Sequence, residues 1–153
     1  MKKFFKNGLV CFLGLLTGFL LPLSAAASSV QSDYGYYSVY GYDYQNYSTI
    51  RMSNYAGYRY AYASTGVSCT STTSVPAGYF GAKSRIYDVN GQVVIESSYT
   101  FSNGPAGSWY APTVSTSGFD GGTLYYSKGA TAAYNGDGYD YYVTFQTPFL
   151  SIN

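Results

Sequence analysis

Tyrosine at alternate positions is the feature that most constrains how this chain can fold. All 21 tyrosines lie after residue 33, and they recur at every second position within residues 40–44 and 58–62. Successive side chains of an extended strand point to opposite faces, so this spacing places each group of tyrosines on one face of a strand. Tyrosine also carries a large apolar ring with a polar tip and is enriched in strands. The pattern predicts β-structure with aromatic surfaces.

Two hairpins are the clearest local predictions. The alternating segment 78–101 reverses at Asn90-Gly91, and residues 123–147 reverse at Asn135-Gly136-Asp137-Gly138. Such turns between alternating runs indicate hairpins, because Asn and Gly tolerate positive φ. No window of a dozen residues shows a helical period. We predict an all-β fold, an antiparallel β-sandwich of about 6–9 short strands, with a small barrel as the alternative.

The N-terminal segment has the pattern of a secretory signal. Lys2, Lys3 and Lys6 precede an apolar run over 8–21, and small residues follow at 24–27. We expect cleavage after Ala27, hence a secreted or extracellular protein that could associate with the cell surface and has no membrane segment after cleavage. The predicted organisation is a signal peptide at 1–27, a tyrosine-rich arm or edge strand at 28–47, and a single β-sandwich domain at 48–153.

Charge and cysteine content restrict the partners. Beyond residue 27 the chain has five basic and seven acidic side chains, a net charge near −2. This balance argues against nucleic acid and anionic lipid as partners, since both require clustered Lys and Arg. Cys69 is the only cysteine after residue 27, so no intramolecular disulfide is expected. It is either a small buried hydrophobe that faces the same way as Val67, or an intermolecular bridge or reactive thiol.

Catalytic groups are scarce. The chain has no histidine, which excludes Ser-His-Asp and Cys-His nucleophilic sites, and a single mature cysteine cannot build a zinc cluster. Glu96 is the only glutamate, so a glycosidase pair is not apparent. The loop 135–138 favours a hairpin turn, with a calcium site as the alternative. We therefore predict a protein that is not an enzyme and has no metal or cofactor.

Aromatic side chains are the candidate ligand-binding residues. Trp109 follows a Gly/Pro-rich stretch and could either stack on a sugar ring or fill one end of the sandwich. The other candidates are tyrosines placed beside it or exposed on strands. The full predicted set is Trp109, Tyr110, Tyr58, Tyr60, Tyr62, Tyr139 and Tyr141.

A family resemblance rests on two short segments. Ala77-Gly78-Tyr79-Phe80-Gly81-Ala82-Lys83, followed by Ser98-Tyr99-Thr100-Phe101, resembles the C-terminal strands of the lactococcin 972 family of secreted bacteriocins. The resemblance implies a small β-sandwich that acts on cell-wall assembly in sensitive bacteria. Phe80 stands where the family motif has tryptophan. The C-terminal half is also similar to uncharacterised tyrosine-rich secreted proteins of Gram-positive bacteria.

Three functions fit these observations. The first is a non-catalytic extracellular or cell-surface protein that binds glycan, cell wall or another protein through aromatic side chains, since tyrosine gives a large contact area at modest entropic cost. The second is a bacteriocin-like protein that acts on neighbouring cells. The third is a self-assembling matrix component, because the low-charge segment 33–47 could pair edge to edge.

Overall fold

The computed structural model describes residues 28–55, 58–117 and 123–151. These residues form strands and no helix, so none of the described segments is an apolar helix long enough to cross a membrane. The predicted signal peptide lies outside the described residues. The strands are β1 (Ser29–Gln31), β2 (Gly35–Val39), β3 (Tyr42–Tyr55), β4 (Tyr58–Cys69), β5 (Phe80–Lys83), β6 (Arg85–Asp88), β7 (Val93–Glu96), β8 (Thr100–Phe101), β9 (Ser108–Tyr110), β10 (Val114–Ser117), β11 (Leu124–Ser127), β12 (Ala130–Tyr134), β13 (Tyr139–Val143) and β14 (Leu150–Ser151).

The first layer is a six-stranded antiparallel sheet. Its central pair is β3 and β4, which run together from Tyr44↔Cys69 to Tyr55↔Tyr58. β1 and β2 both pair with β3 along one edge, and β9 and β10 both pair with β4 along the other. Residues 28–47, predicted as an arm or edge strand, lie in the sheet: β1 and β2 form its edge, and β3 continues past residue 47 without a break.

The second layer consists of two four-stranded antiparallel sheets, ordered β14-β11-β6-β7 and β13-β12-β5-β8. The two sheets are connected strand by strand, because each strand of one sheet is followed or preceded along the chain by a strand of the other. β12 pairs with β5 at Ala130↔Lys83, and β11 pairs with β6 at Ser127↔Ile86, three residues further along each segment in the same register. The second layer is interrupted at the same level in both segments, at Ser84 and at 128–129, and we call this interruption the bend. It divides each segment into two strands, which accounts for part of the difference between the fourteen described strands and the predicted 6–9.

Both predicted hairpins are confirmed. β6 and β7 flank Asn90-Gly91, where only Gly91 takes a positive φ, +81°. Asp88 supports this turn because its carboxylate accepts the backbone N–H groups of Asn90 and Gln92 at 2.9 and 2.8 Å. β12 and β13 flank residues 135–138 in the same way. None of the described sheets closes on itself, and the two layers form the predicted β-sandwich.

Two apolar clusters lie between the layers. One contains Tyr44 and Phe80 beneath the β5–β12 half, and the other contains Ile50 and Ile86 beneath the β6–β11 half. Cys69 is partly buried and packs against the first cluster. Alternate residues of β3 from Tyr44 to Met52 thus point into the sandwich, as the period of two requires.

A buried polar layer separates the two clusters at the bend. The Ser48 hydroxyl lies 2.8 Å from Thr144 Oγ1 and 3.2 Å from Thr65 Oγ1, and it accepts the Gly129 N–H at 2.9 Å. A Cβ atom at residue 129 would lie 1.8 Å from Thr65 Oγ1 and 2.6 Å from the Lys83 carbonyl oxygen. Glycine is therefore required where the bent layer meets β4.

Candidate ligand-binding groove

The Trp109 side chain packs within the fold. It lies on β9, is half buried and packs against the first apolar cluster. Its indole N–H donates to the Thr100 carbonyl oxygen at 3.0 Å and lies 3.2 Å from Thr100 Oγ1. These contacts tie the edge of the six-stranded sheet to β8, because β9 and β8 belong to opposite layers. The ring has a structural role in closing this side of the sandwich.

The outer face of the six-stranded sheet carries four of the predicted residues: Tyr58, Tyr60, Tyr62 and Tyr110. The rings of Tyr60 and Tyr62 stack with centroids 6.1 Å apart, and the Arg51 guanidinium lies 4.8 Å from the Tyr62 centroid. A depression of about 220 Å³ beside them is lined mainly by small hydroxyl side chains. The depression is smaller in volume than a typical ligand site, which spans roughly 300–1,000 Å³.

The outer face of the bent layer carries the last two predicted residues. The Tyr139 ring lies 4.6 Å from the Phe101 ring, and its hydroxyl donates to the Gly78 carbonyl oxygen at 2.9 Å. The Tyr141 ring lies 5.3 Å from that of Tyr99. The seven predicted residues are therefore divided between two outer faces and the seam at Trp109, and the fold does not gather them into one site.

A groove of about 480 Å³ lies elsewhere, between β2 of the first layer and β13 of the second. We call it the edge groove, because β2 and β13 each pair with a single strand and form the sheet edges on this side. None of the seven predicted residues lines it. Its lining residues are Tyr34, Gly35, Tyr36, Tyr37, Asn46, Tyr142, Val143 and Phe145.

Stacked aromatic rings form the floor of the edge groove. The Tyr37 ring stacks on Tyr142 with centroids 3.8 Å apart and an angle of 8°, and on Tyr44 at 5.4 Å. The Tyr37 hydroxyl lies 3.0 Å from Thr131 Oγ1, within hydrogen-bond distance. Burial raises the pKa of Tyr37, so this phenol is neutral at physiological pH. Stacking and this contact hold the floor rings in one orientation.

Asn46 supplies the groove's least satisfied polar atom. The residue is only 1% exposed, and its Nδ2 donates to Thr131 Oγ1 at 2.9 Å. Its Oδ1 accepts no hydrogen bond from any residue in the described ranges. A Cβ atom at residue 35 would lie 2.5 Å from Oδ1 and 3.9 Å from the Phe145 ring. Asn46 Oδ1 therefore lies directly against Gly35, and a side chain at residue 35 would displace it.

A β-bulge in the edge strand places neighbouring residues on the rim and on the floor of the groove. β1 pairs at Gln31↔Thr49 and β2 at Gly35↔Asn46, so the edge strand advances four residues while β3 advances three. The extra residue turns Tyr34 outward, where its ring meets the Tyr47 ring at 5.2 Å, and turns Tyr37 inward. The consecutive tyrosines at 36 and 37 break the period of two and are the sequence signal that could have indicated this change of face.

The lining of the edge groove suits an uncharged ligand. None of its eight side chains is an acid or a base that is charged at neutral pH, and two aromatic rings on the rim, Tyr36 and Phe145, are 71% and 57% exposed. Aromatic walls with a few polar atoms are typical of small-molecule and glycan sites. Within the described ranges no group of three His, Cys, Asp or Glu residues could hold a metal ion. Comparison with protein families, curated proteins and solved structures finds no match to this chain.

Proposed function

We propose that this chain is a secreted, non-catalytic β-sandwich protein that binds an extracellular glycan, the cell wall or another surface protein through aromatic side chains. The observation that carries the proposal is the edge groove. It is of ligand-binding size, since such sites span roughly 300–1,000 Å³, and its floor is held by stacking and hydrogen bonds. A rigid floor lowers the entropic cost of binding.

Exposed rings on the rim provide the binding energy. Tyr36 and Phe145 are both more than half exposed, and covering apolar area of this size contributes on the order of 2 kcal/mol per ring before the costs of association. Each 1.4 kcal/mol corresponds to about a tenfold change in affinity. Truncation of either ring should therefore weaken binding by about tenfold or more.

Sedimentation with intact Gram-positive cell walls tests the proposal. The protein expected after signal removal, residues 28–153, should pellet with walls and remain in solution without them. Tyr36→Ala and Phe145→Ala should bind about tenfold more weakly. Tyr58→Ala is the matched control, because Tyr58 is also exposed but lies outside the groove. Groove variants that pellet like the wild type would contradict the proposal, as would a wild-type protein that walls never bring down.

Self-association is the second candidate function, and the exposed edge of β7 favours it. β7 ends its sheet, and Val93 and Val94 are more than 40% exposed on it. An apolar edge strand can pair with another chain. The β1–β2 edge is a poorer candidate because of its bulge. Protein that pellets without walls, and stops doing so in a Val93→Lys variant, would support this alternative.

A further inference from the structure

We propose that Tyr99 and Tyr141 form a site of oxidative modification, at which a peroxide and a haem peroxidase couple the two rings into a dityrosine cross-link. The ring centroids lie 5.3 Å apart. Tyr141 is on β13 and Tyr99 directly precedes β8, and these strands are the opposite edges of one four-stranded sheet. A bond between the rings would tie the two edges together across the outer face. The site is separate from the edge groove, which neither ring lines.

Small residues in the two middle strands let rings from the edge strands lie across the sheet. Ala132 of β12 pairs with Tyr141 on one side and with Gly81 of β5 on the other. Ala132 faces outward, since its neighbour Ala133 packs into the first apolar cluster, and yet Ala132 is fully buried. Large side chains of the outer face therefore cover it. At residue 81 a Cβ atom would lie 2.6 Å from the Phe101 ring, so glycine leaves room for that ring.

The angle between the two rings suits carbon–carbon coupling. A bond between two ring carbons joins the rings edge to edge, and it holds their planes twisted because neighbouring substituents collide when the planes coincide. The planes of Tyr99 and Tyr141 are tilted by 58°. Tyr37 and Tyr142 are closer, but they stack at 8° and present faces to each other, not edges. Proximity alone therefore does not select the reactive pair.

Exposure distinguishes this pair from another tilted pair. Tyr141 is 61% exposed and Tyr99 is partly exposed, so an oxidant in solution can reach both rings. Tyr79 and Tyr134 lie 5.0 Å apart at 44°, but each is only partly exposed. The ring of Tyr40 also lies beside both of them, at 6.3 and 5.5 Å. Radicals should therefore form more readily at the first pair.

The coupling is a two-electron oxidation. Each phenol gives one electron and its hydroxyl proton to the oxidant, and the two phenoxyl radicals combine in one bond between ring carbons ortho to the oxygens. The two ortho hydrogens then move to the oxygens, which restores two phenols. Hydrogen peroxide takes up the two electrons and two protons and leaves as two water molecules, with the haem peroxidase as catalyst.

The cross-link would act as a staple in a domain that has no internal disulfide. Cys69 is the only cysteine after residue 27, and Tyr99 and Tyr141 are 42 positions apart in the chain. A covalent link that closes a loop of this length restricts the unfolded chain, as a disulfide does. The midpoint of urea unfolding should therefore rise by about 1–2 M.

Oxidation of residues 28–153 at micromolar concentration, with a haem peroxidase and one equivalent of hydrogen peroxide, tests the inference. We expect a product that runs as a monomer, shows the blue fluorescence of dityrosine and has lost two hydrogen atoms by mass. Trypsin cleaves after Arg85 and Lys128, so the link should join peptide 86–128 to peptide 129–153. Fragmentation of this peptide pair should identify Tyr99 and Tyr141 as the linked residues, and it needs no variant.

Phenylalanine variants test the two hydroxyls. Tyr99→Phe and Tyr141→Phe keep both rings but remove a hydroxyl from which a radical forms, so each should reduce the monomeric cross-link to background and abolish the rise in the urea midpoint. Tyr58→Phe is the matched control, because Tyr58 is similarly exposed, 65%, but lies on β4 of the other layer. It should leave the yield unchanged. Circular dichroism shows whether each variant keeps the fold.

Several results would overturn the inference. Oxidation that gives only dimers and larger products would do so, as would a monomeric link that maps to another pair such as Tyr79 and Tyr134. A yield that Tyr99→Phe and Tyr141→Phe leave unchanged would also refute the site. A link at Tyr99 and Tyr141 that does not raise the urea midpoint would refute the staple. None of these results bears on wall binding by the edge groove, which sedimentation tests separately.

Discussion

Replacement of Ser48 by alanine should destabilise the fold more than its single oxygen atom suggests. Ser48 is fully buried between the two apolar clusters, and its hydroxyl meets Thr65, Thr144 and the Gly129 N–H. Alanine removes all three interactions without a change in backbone conformation. The Gly129 N–H then faces the interior without its acceptor, at the point where the second layer bends.

The magnitude follows from these contacts. A buried donor left without a partner costs about 1–3 kcal/mol, and each of the two hydroxyl contacts contributes on the order of 1 kcal/mol or less. The Thr144 hydroxyl keeps its 3.4 Å contact with the Gly129 carbonyl oxygen, which limits the loss. We expect the free energy of unfolding to fall by about 2–4 kcal/mol, a large share of the roughly 5–15 kcal/mol of a typical domain.

Urea unfolding followed by circular dichroism and Trp109 fluorescence measures this change. The midpoint should shift by about 1–2 M, given a slope of roughly 1–3 kcal/mol per molar urea. Ser64→Ala is the matched control, because Ser64 lies half exposed on the outer face of β4. It should change stability by about 0.5 kcal/mol or less. Equal midpoints for the two variants would show that Ser48 does not organise the polar layer.

Two further predictions concern the bend and the tyrosines. Gly129→Ala should prevent folding or lower stability by at least about 3 kcal/mol, because its Cβ atom would lie 1.8 Å from Thr65 Oγ1; Gly104→Ala, with no atom within 4 Å, should be nearly neutral in the same urea assay, and similar midpoints would refute the close approach. Burial raises the pKa of Tyr44 to about 12, as it does for Tyr47, above an unfolded value near 10. Their contribution to stability is therefore complete below pH 10 and is lost as the pH rises towards 12. Ultraviolet titration of phenolate should show a late-ionising class that disappears in urea, and a single transition near pH 10 in the folded protein would contradict it.

Local sequence chemistry predicted the hairpins but not the bend. Asn90-Gly91 and residues 135–138 define their turns within a few residues, through glycine conformation and side-chain acceptors such as Asp88. The bend depends on Gly129 lying against Thr65, a residue 64 positions earlier. Nothing in the neighbouring sequence indicates such a contact, so alternation alone predicts an unbroken strand on each side of the turn.

The sequence does not indicate the edge groove, because the groove too depends on contacts between residues far apart in the chain. Its floor joins Tyr37 to Tyr142, and its acceptor Asn46 is linked to Thr131. Composition favours tyrosine as a binding residue but cannot distinguish buried rings from exposed ones. In the sequence, Trp109 and the strand tyrosines are therefore equivalent candidates, whereas in the structure the Trp109 indole donates a hydrogen bond within the fold.

The two roles of tyrosine in this protein are set by strand geometry. Tyr44 is fully buried and Tyr36 is 71% exposed, although both lie in the same low-complexity segment. In a regular strand, Tyr34 would face the interior with Ser32, and Tyr37 would face solvent. The extra residue in the edge strand reverses this assignment, so that Tyr36 stands on the rim while Tyr37 joins the stacked floor. The bulge therefore makes one short edge strand supply both the exposed ring on the rim of the edge groove and the buried ring that stacks in its floor.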